Sequence, residues 1–148
     1  EFEDKLNAAD LTLLIQKPET PVYVMADGRH FWRVIDNLMN NICKYAQPGT
    51  RVYVDLRENG GQVELIFRNT SRYPLNISSE ELMERFVRGD ESRNTEGSGL
   101  GISIAKSLME LMGGSFMLYV DGDLFKVVLG FAQMEEEKEP LDEDKSGK

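Results

Sequence analysis

Apolar and polar residues alternate over Val52, Val54 and Leu56 and again over Val63, Leu65 and Phe67, with Asn59-Gly60 between the two runs, which predicts a β-hairpin. A second hairpin is predicted where Phe116, Leu118 and Val120 alternate up to Asp121-Gly122, and Phe125, Val127, Leu129 and Phe131 alternate beyond it. Elsewhere the apolar spacing changes to three and four. Trp32, Ile35, Leu38, Met39 and Ile42 mark one stripe of a helix that opens at Asp27-Gly28 and stops at Gln47-Pro48-Gly49. Ile102, Ala105, Leu108, Met109 and Met112 mark a second, from Gly101 to the Gly113-Gly114 stop. A shorter helix is expected from about Ser79 to Phe86, with Ser79 as its N-cap and Leu82 and Phe86 on one face. The runs Leu11–Gln16 and Val22–Met25, separated by Pro18 and Pro21, read as two strands.

Residues 87–99 (VRGDESRNTEGSG) carry a single apolar side chain and are predicted to be a loop long enough to act as a lid. From residue 134 onward the chain becomes a strongly acidic tail that accounts for −4 of the net charge. The hairpins and long helices do not alternate in β-α-β order. The expected fold class is therefore α+β, a two-layer α/β sandwich in which a mixed, mostly antiparallel sheet is covered on one face by three helices. One domain is expected over residues 1–133, followed by the tail at 134–148.

Charge narrows the partners. The chain has 148 residues and a net charge of −9, which disfavours nucleic acid or anionic lipid as a general binding partner, so an anionic ligand must be caught locally. No apolar stretch approaches the ~18 residues of a membrane span, and Glu1 to Lys5 are too charged for a signal peptide. A single cysteine, Cys43, excludes an internal disulfide and a cysteine metal cluster, and its place at the edge of an apolar stripe reads as a packed thiol.

On the first long helix, with Asn37 set at zero, Asn41, Lys44 and Asn40 fall at about 40°, −20° and −60°, while Ile35, Leu38, Met39 and Ile42 fall on the far side. Asparagine is a poor helix former, so three within five residues need a reason beyond solvation. Amide oxygens suit Mg²⁺, which keeps several waters and shares substrate phosphates, and Lys44 would meet phosphate charge one turn on. The second constellation is Gly97-Ser98-Gly99-Leu100-Gly101, glycines that let backbone approach a ligand just where a helix N-terminus presents unpaired N–H groups. It lacks the Lys-Ser/Thr of a P-loop and the spacing of a dinucleotide fold. Arg88 and Arg93 lead into it and could fold over polyphosphate.

The joint pattern DNLMNN, ERFVRGDESRN and EGSGLGISIAKSLMELMGG resembles the catalytic, ATP-binding domain of sensor histidine kinases, within the Bergerat-fold (GHKL) family that includes the ATPase domains of gyrase, Hsp90 and MutL. The resemblance spans Leu11 to Phe131. It implies that Asn41 is the principal Mg²⁺ ligand with Asn37 beside it, that Lys44, Arg88 and Arg93 act on the ATP phosphates, and that Tyr45 and Phe86 pack near the nucleotide. It also implies that the run Gly97, Ser98, Gly99, Leu100 and Gly101 cradles the phosphates. The implied reaction is transfer of the γ-phosphoryl group of ATP to a histidine. The implied partners are a dimerisation and phosphoacceptor domain of the same protein and a downstream response regulator. The full-length protein would be a homodimer and the isolated domain a monomer, working on the cytoplasmic side of a membrane-anchored sensor.

Two departures matter. Relatives carry Asp-x-Gly-x-Gly after the central strand, where this chain has Asn69-Thr70-Ser71-Arg72-Tyr73, so Asn69 stands where a carboxylate reads the adenine amino group. Asn69 still accepts through its carbonyl but loses the charge-assisted bond and can also donate, which predicts weaker affinity and poorer ATP/GTP discrimination. The one histidine, His30, sits at a helix start, so the acceptor histidine is expected on a segment outside this chain, and residues 1–10 read as the remnant of the linker to it. A water-activating Glu, needed by an ATP-hydrolysing switch, is missing from Gly28 to Tyr45. The alternative is a non-catalytic nucleotide sensor or docking module.

Overall fold

The structure is a computed structural model that describes residues 2–88 and 100–134, without the side chains of residues 86–88 and 100. In chain order its elements are α1 (Glu3–Ala8), β1 (Thr12–Gln16), β2 (Tyr23–Val24), α2 (Gly28–Tyr45), β3 (Arg51–Asn59), β4 (Gln62–Thr70), α3 (Ser79–Arg88), α4 (Leu100–Leu111), β5 (Ser115–Asp121) and β6 (Leu124–Met134). One six-stranded sheet runs β1-β3-β4-β6-β2, with β5 also paired to β6. Only β1 and β3 are parallel; every other pairing is antiparallel.

Both expected hairpins form, with the turns one residue further on than the dipeptide signals suggest. Asn59 pairs with Gln62, so the central residues of the first turn are Gly60 and Gly61, at φ 58° and 85°. Two consecutive positive φ values define the turn whose twist matches its strands, and glycine adopts both without a steric penalty. The register sets the faces. Val52, Asn69 and Phe125 lie in one row and Val54, Phe67 and Val127 in the next. These rows, with Leu129, Phe131, Phe116 and Leu118, pack in one core with Val34, Leu38, Met39 and Ile42 of α2 and Ile102, Ala105 and Met109 of α4. The helices therefore cover a single face of the sheet, as a two-layer sandwich requires.

The two early strands end up at opposite margins of the sheet. About four strand spacings, or ~19 Å, separate β1 from β2. The connection 17–22 can reach at most ~25 Å, so it has limited slack, and Pro18 and Pro21 favour extended backbone around them.

Three local readings change. Trp32 is not core: it is 46% exposed and stacks on Phe2 with ring centroids 5.5 Å apart, while Val34, fully buried, takes the inward position. The N-cap of α3 is Ser78, whose Oγ accepts from the Glu81 N–H at 3.1 Å, and the helix extends to Arg88, two residues into the stretch expected to be loop. Within residues 1–10, read as a linker remnant, residues 3–8 form α1, which buries Leu6 against the core. At the end of α4 the Gly113 N–H bonds to Glu110 O and the Gly114 N–H to Met109 O, with Gly113 at φ 80°. This closure satisfies two terminal carbonyls and turns the chain directly into β5.

Candidate functional site: the amide face of α2

The Asn-bearing helix is held at three places. At its start, Asp27 Oδ1 accepts from the His30 backbone N–H at 3.0 Å, and that bond holds the Asp27 carboxyl below its ordinary pKa. In its middle, Leu38, Met39 and Ile42 anchor the apolar stripe, and the half-buried Cys43 thiol beside them is pushed up in pKa by desolvation, with the Lys5 charge acting against it. A thiol in this state is a packing group rather than a nucleophile.

The C-terminal end is stitched to the strand beneath it. The Gln47 N–H donates to Thr70 O and the Arg72 N–H to Tyr45 O, both at 2.8 Å, and Ala46 bridges Ser71. The Ser71 N–H in turn reaches Asp123 O at 2.7 Å, tying the same segment to the β5–β6 turn. These bonds fix the end of β4 under the last turn of α2. They place Asn69, 4% exposed, and Ser71, 8% exposed, on the covered side, where they are the only buried polar residues among those described. Ser71 Oγ accepts from the Tyr73 N–H at 3.2 Å. Ser71 was not singled out from the sequence; a small polar residue two positions past Asn69, on the same strand face, is the signal that would have found it.

The other wall is α4. A Cβ built on Gly101 would lie 3.5 Å from the Asn37 carboxamide, so the start of α4 faces the middle of α2 at Asn37. Among the described residues the buried Asn37 Nδ2 has no hydrogen-bond partner. An unmatched buried N–H costs about 1–3 kcal/mol, so it is tolerated where something else will accept it. Asn40 is different. Its Oδ1 accepts from Lys5 Nζ at 2.7 Å, so α1 takes this amide, whereas the Asn37 carboxamide lies toward Gly101 of α4.

Of the other expected site residues, Asn41 and Tyr45 are half-buried on α2, and Lys44 is exposed with its Nζ 5.9 Å from the Tyr45 ring centroid. Phe86 and Arg88 fall in the last turn of α3 and Leu100 opens α4, their side chains lying outside the description. Arg93, Gly97, Ser98 and Gly99 lie outside the described residues altogether. Among the described residues no three His, Cys, Asp or Glu side chains gather in a way that could hold a metal, and no helix is long and apolar enough to cross a membrane.

Residues 26–140 match the family described as histidine kinase-, DNA gyrase B- and HSP90-like ATPase. The chain belongs to that family, as a catalytic ATP-binding domain of the sensor histidine kinase type. It is 29% identical over 137 residues, 90% of its own length, to the probable sensor kinase SilS of Salmonella typhimurium, of which it covers 28%. To the probable sensor protein PcoS of Escherichia coli it is 34% identical over 110 residues, covering 72% of this chain and 24% of that protein. Its fold matches the catalytic domain of histidine kinase ThkA with a TM-score of 0.73 at 20% identity, over 88% of this chain and 84% of that one. The chain thus spans about a quarter of the length of these curated relatives.

Proposed function

We propose that this domain binds Mg-ATP between α2 and α4 and transfers its γ-phosphoryl group to a histidine on a dimerisation domain outside this chain, as part of a membrane-anchored two-component sensor acting in the cytoplasm. The observation that carries the reading is the Asn37 carboxamide, whose Nδ2 is buried without a partner among the described residues and whose Cγ and Oδ1 would stand 3.5 Å from a Cβ at Gly101. A donor there suits a phosphate oxygen, and the carboxamides of Asn37 and Asn41 supply the neutral oxygens that Mg²⁺ accepts when phosphates provide the negative ligands. Asn41 and Asn37 would hold that ion, which would screen the charge of the triphosphate.

The chain's own residues position and neutralise. Lys44, Arg88 and Arg93 offset charge on the triphosphate. Backbone N–H groups of Gly97, Ser98, Gly99, Leu100 and Gly101, at and just before the α4 N-terminus, donate hydrogen bonds to its oxygens. Tyr45 and Phe86 pack beside the nucleoside, and Asn69 reads the base edge from the floor of the pocket. In the transfer step an imidazole nitrogen of the acceptor forms the new N–P bond as the bond from γ-phosphorus to the ADP oxygen breaks, and ADP departs. Alignment supplies most of the acceleration in such a step. A response regulator would take the phosphoryl group onward.

Calorimetric titration with ADP and a non-hydrolysable ATP analogue, with and without Mg²⁺, tests the reading. Magnesium-dependent binding that Asn41→Ala weakens at least about tenfold is expected, corresponding to ~1.4 kcal/mol. Absence of binding by either nucleotide would sink it and favour a docking module. Asn69→Asp tests base reading in the same assay, with tighter adenine binding and sharper rejection of GTP expected. An unchanged ratio removes Asn69 from that role.

A further inference from the structure

Among the described residues no strand pairs with the outer edge of β1, and the strand itself lacks the residues that normally protect a sheet margin. Thr12–Gln16 (TLLIQ) contains no charge, proline or bulge, and Ile15 is 61% and Leu14 39% exposed. Such an edge presents unpaired N–H and C=O groups and is a template for another strand. At the opposite side of the sheet, β5 has α3 and α4 packed on it.

We propose that β1 pairs antiparallel with β1 of a second copy of this chain, about a two-fold axis at Leu14. The hydrogen-bond phase of the strand permits this register. Thr12 donates its N–H to Thr50 O at 3.1 Å, so Thr12, Leu14 and Gln16 point their backbone groups at β3 and Leu13 and Ile15 point theirs outward. With the axis at Leu14, Leu13 of each copy faces Ile15 of the other as a hydrogen-bonded pair, and the two Leu14 residues form the close, non-bonded pair. The exposed Ile15 side chains are then covered by Leu13 across the junction.

Charge selects the antiparallel self-pairing. Asp10 precedes the strand and Lys17 follows it, so in this arrangement the acidic end of each strand meets the basic end of its copy, whereas a parallel pairing sets like against like. The strand itself adds nothing to the repulsion between two molecules of charge −9. Five residues a side make a small contact and hence a weak one. Tethering two copies in one dimeric protein would raise their effective concentration to the millimolar range and close it. The proposal does not depend on the nucleotide reading.

Symmetric disulfide trapping tests it in a Cys43→Ser background. At the two-fold position Leu14→Cys sets its thiol opposite its own copy within bridging range, whereas Ile15→Cys lies roughly 8 Å from its copy and out of reach. Under mild oxidation, Leu14→Cys is expected to form dimer about tenfold or more faster than Ile15→Cys, and an added Ile15→Lys should abolish that advantage. Thermal melting checks that each variant is folded. Equal rates for the two cysteines, or an advantage that survives Ile15→Lys, would mean random collision and overturn the proposal. No trapping at all at millimolar protein would overturn it too, leaving the edge to a strand of a different protein.

Discussion

The two faces of the sheet treat polar groups in opposite ways. On the open face they satisfy one another: Arg68 Nη2 reaches Asp55 at 3.0 Å and lies 4.8 Å from the centre of the Tyr53 ring, Arg57 reaches Glu64 at 3.3 Å, and Lys126 sits 5.3 Å from the Tyr119 ring. On the covered face Asn37 Nδ2 is buried without a partner and Asn69 is set into the core wall. The open face also has two unmatched buried atoms, Asp55 Oδ1 and Arg68 Nε, but both belong to one ion pair, and a small rotation would let them bond to each other. Asn37 Nδ2 has no hydrogen-bond partner among the described residues. Unmet polarity that its own surroundings can repair is packing detail, whereas an unmatched amide beside a glycine at a helix start is what the proposed nucleotide site would use.

The largest effect expected from breaking this contrast is on binding. Asn37→Leu should weaken Mg-ATP analogue affinity by about 10- to 100-fold, since hydrogen bonds to charged groups contribute ~1.5–3 kcal/mol, while leaving the melting temperature unchanged or higher because an unmatched donor is gone. Calorimetry and a thermal melt on the same sample separate the two outcomes. A parallel loss of stability and affinity would make Asn37 a structural residue.

Next in size is a pair of glycine substitutions that distinguishes packed wall from ligand space. A Cβ on Gly114 would lie 2.7 Å from Gly130 O and 2.8 Å from Met109 Cε, so Gly114→Ala should destabilise by about 1–3 kcal/mol in urea unfolding. On Gly101 the nearest atoms stand at 3.5 Å, an ordinary contact, and Gly101→Ala should be neutral or slightly stabilising to folding. Its effect should appear in nucleotide affinity, because the new methyl group would occupy space beside the Asn37 carboxamide that the proposed ligand uses.

On the open face, Arg68→Met should cost under about 1 kcal/mol, since the Arg68 side chain is 38% exposed and such pairs contribute little in water. A larger loss in urea unfolding would show that this face is not open in solution. The smallest effect is at the Asp27 cap. Its folded pKa is lowered, chiefly by the His30 N–H, so the stabilisation is present above the ordinary carboxyl value near pH 4 and is lost as pH falls through the lower folded value. Asn caps as well without titrating, so Asp27→Asn should flatten the acid limb of the stability profile below about pH 4 and change little at neutral pH.

Much of this molecule was legible in its residues. Period-two and period-three-to-four spacing identified both hairpins and both long helices, because burying one face is a demand each element must meet wherever it packs. The asparagine cluster and glycine run pointed to phosphate chemistry because few other demands put those residues on a helix face and a helix start. Where the signals were local and weak, they slipped: Ser79 instead of Ser78 as the cap, Asn59-Gly60 instead of Gly60-Gly61 as the turn, Trp32 instead of Val34 in the core.

By itself, then, the chain specified its elements and its two-layer class, since both rest on short-range periodicity and residue type. Tertiary structure decided what no spacing encodes. It sent β1 and β2 to opposite margins of the sheet and gave Asn40 to Lys5 while leaving Asn37 unmatched beside Gly101. It also drew Asn69 and Ser71 beneath the end of α2 through backbone bonds at Gln47 and Arg72. These outcomes depend on which distant groups meet, and that is settled only when the whole sheet closes under its helices.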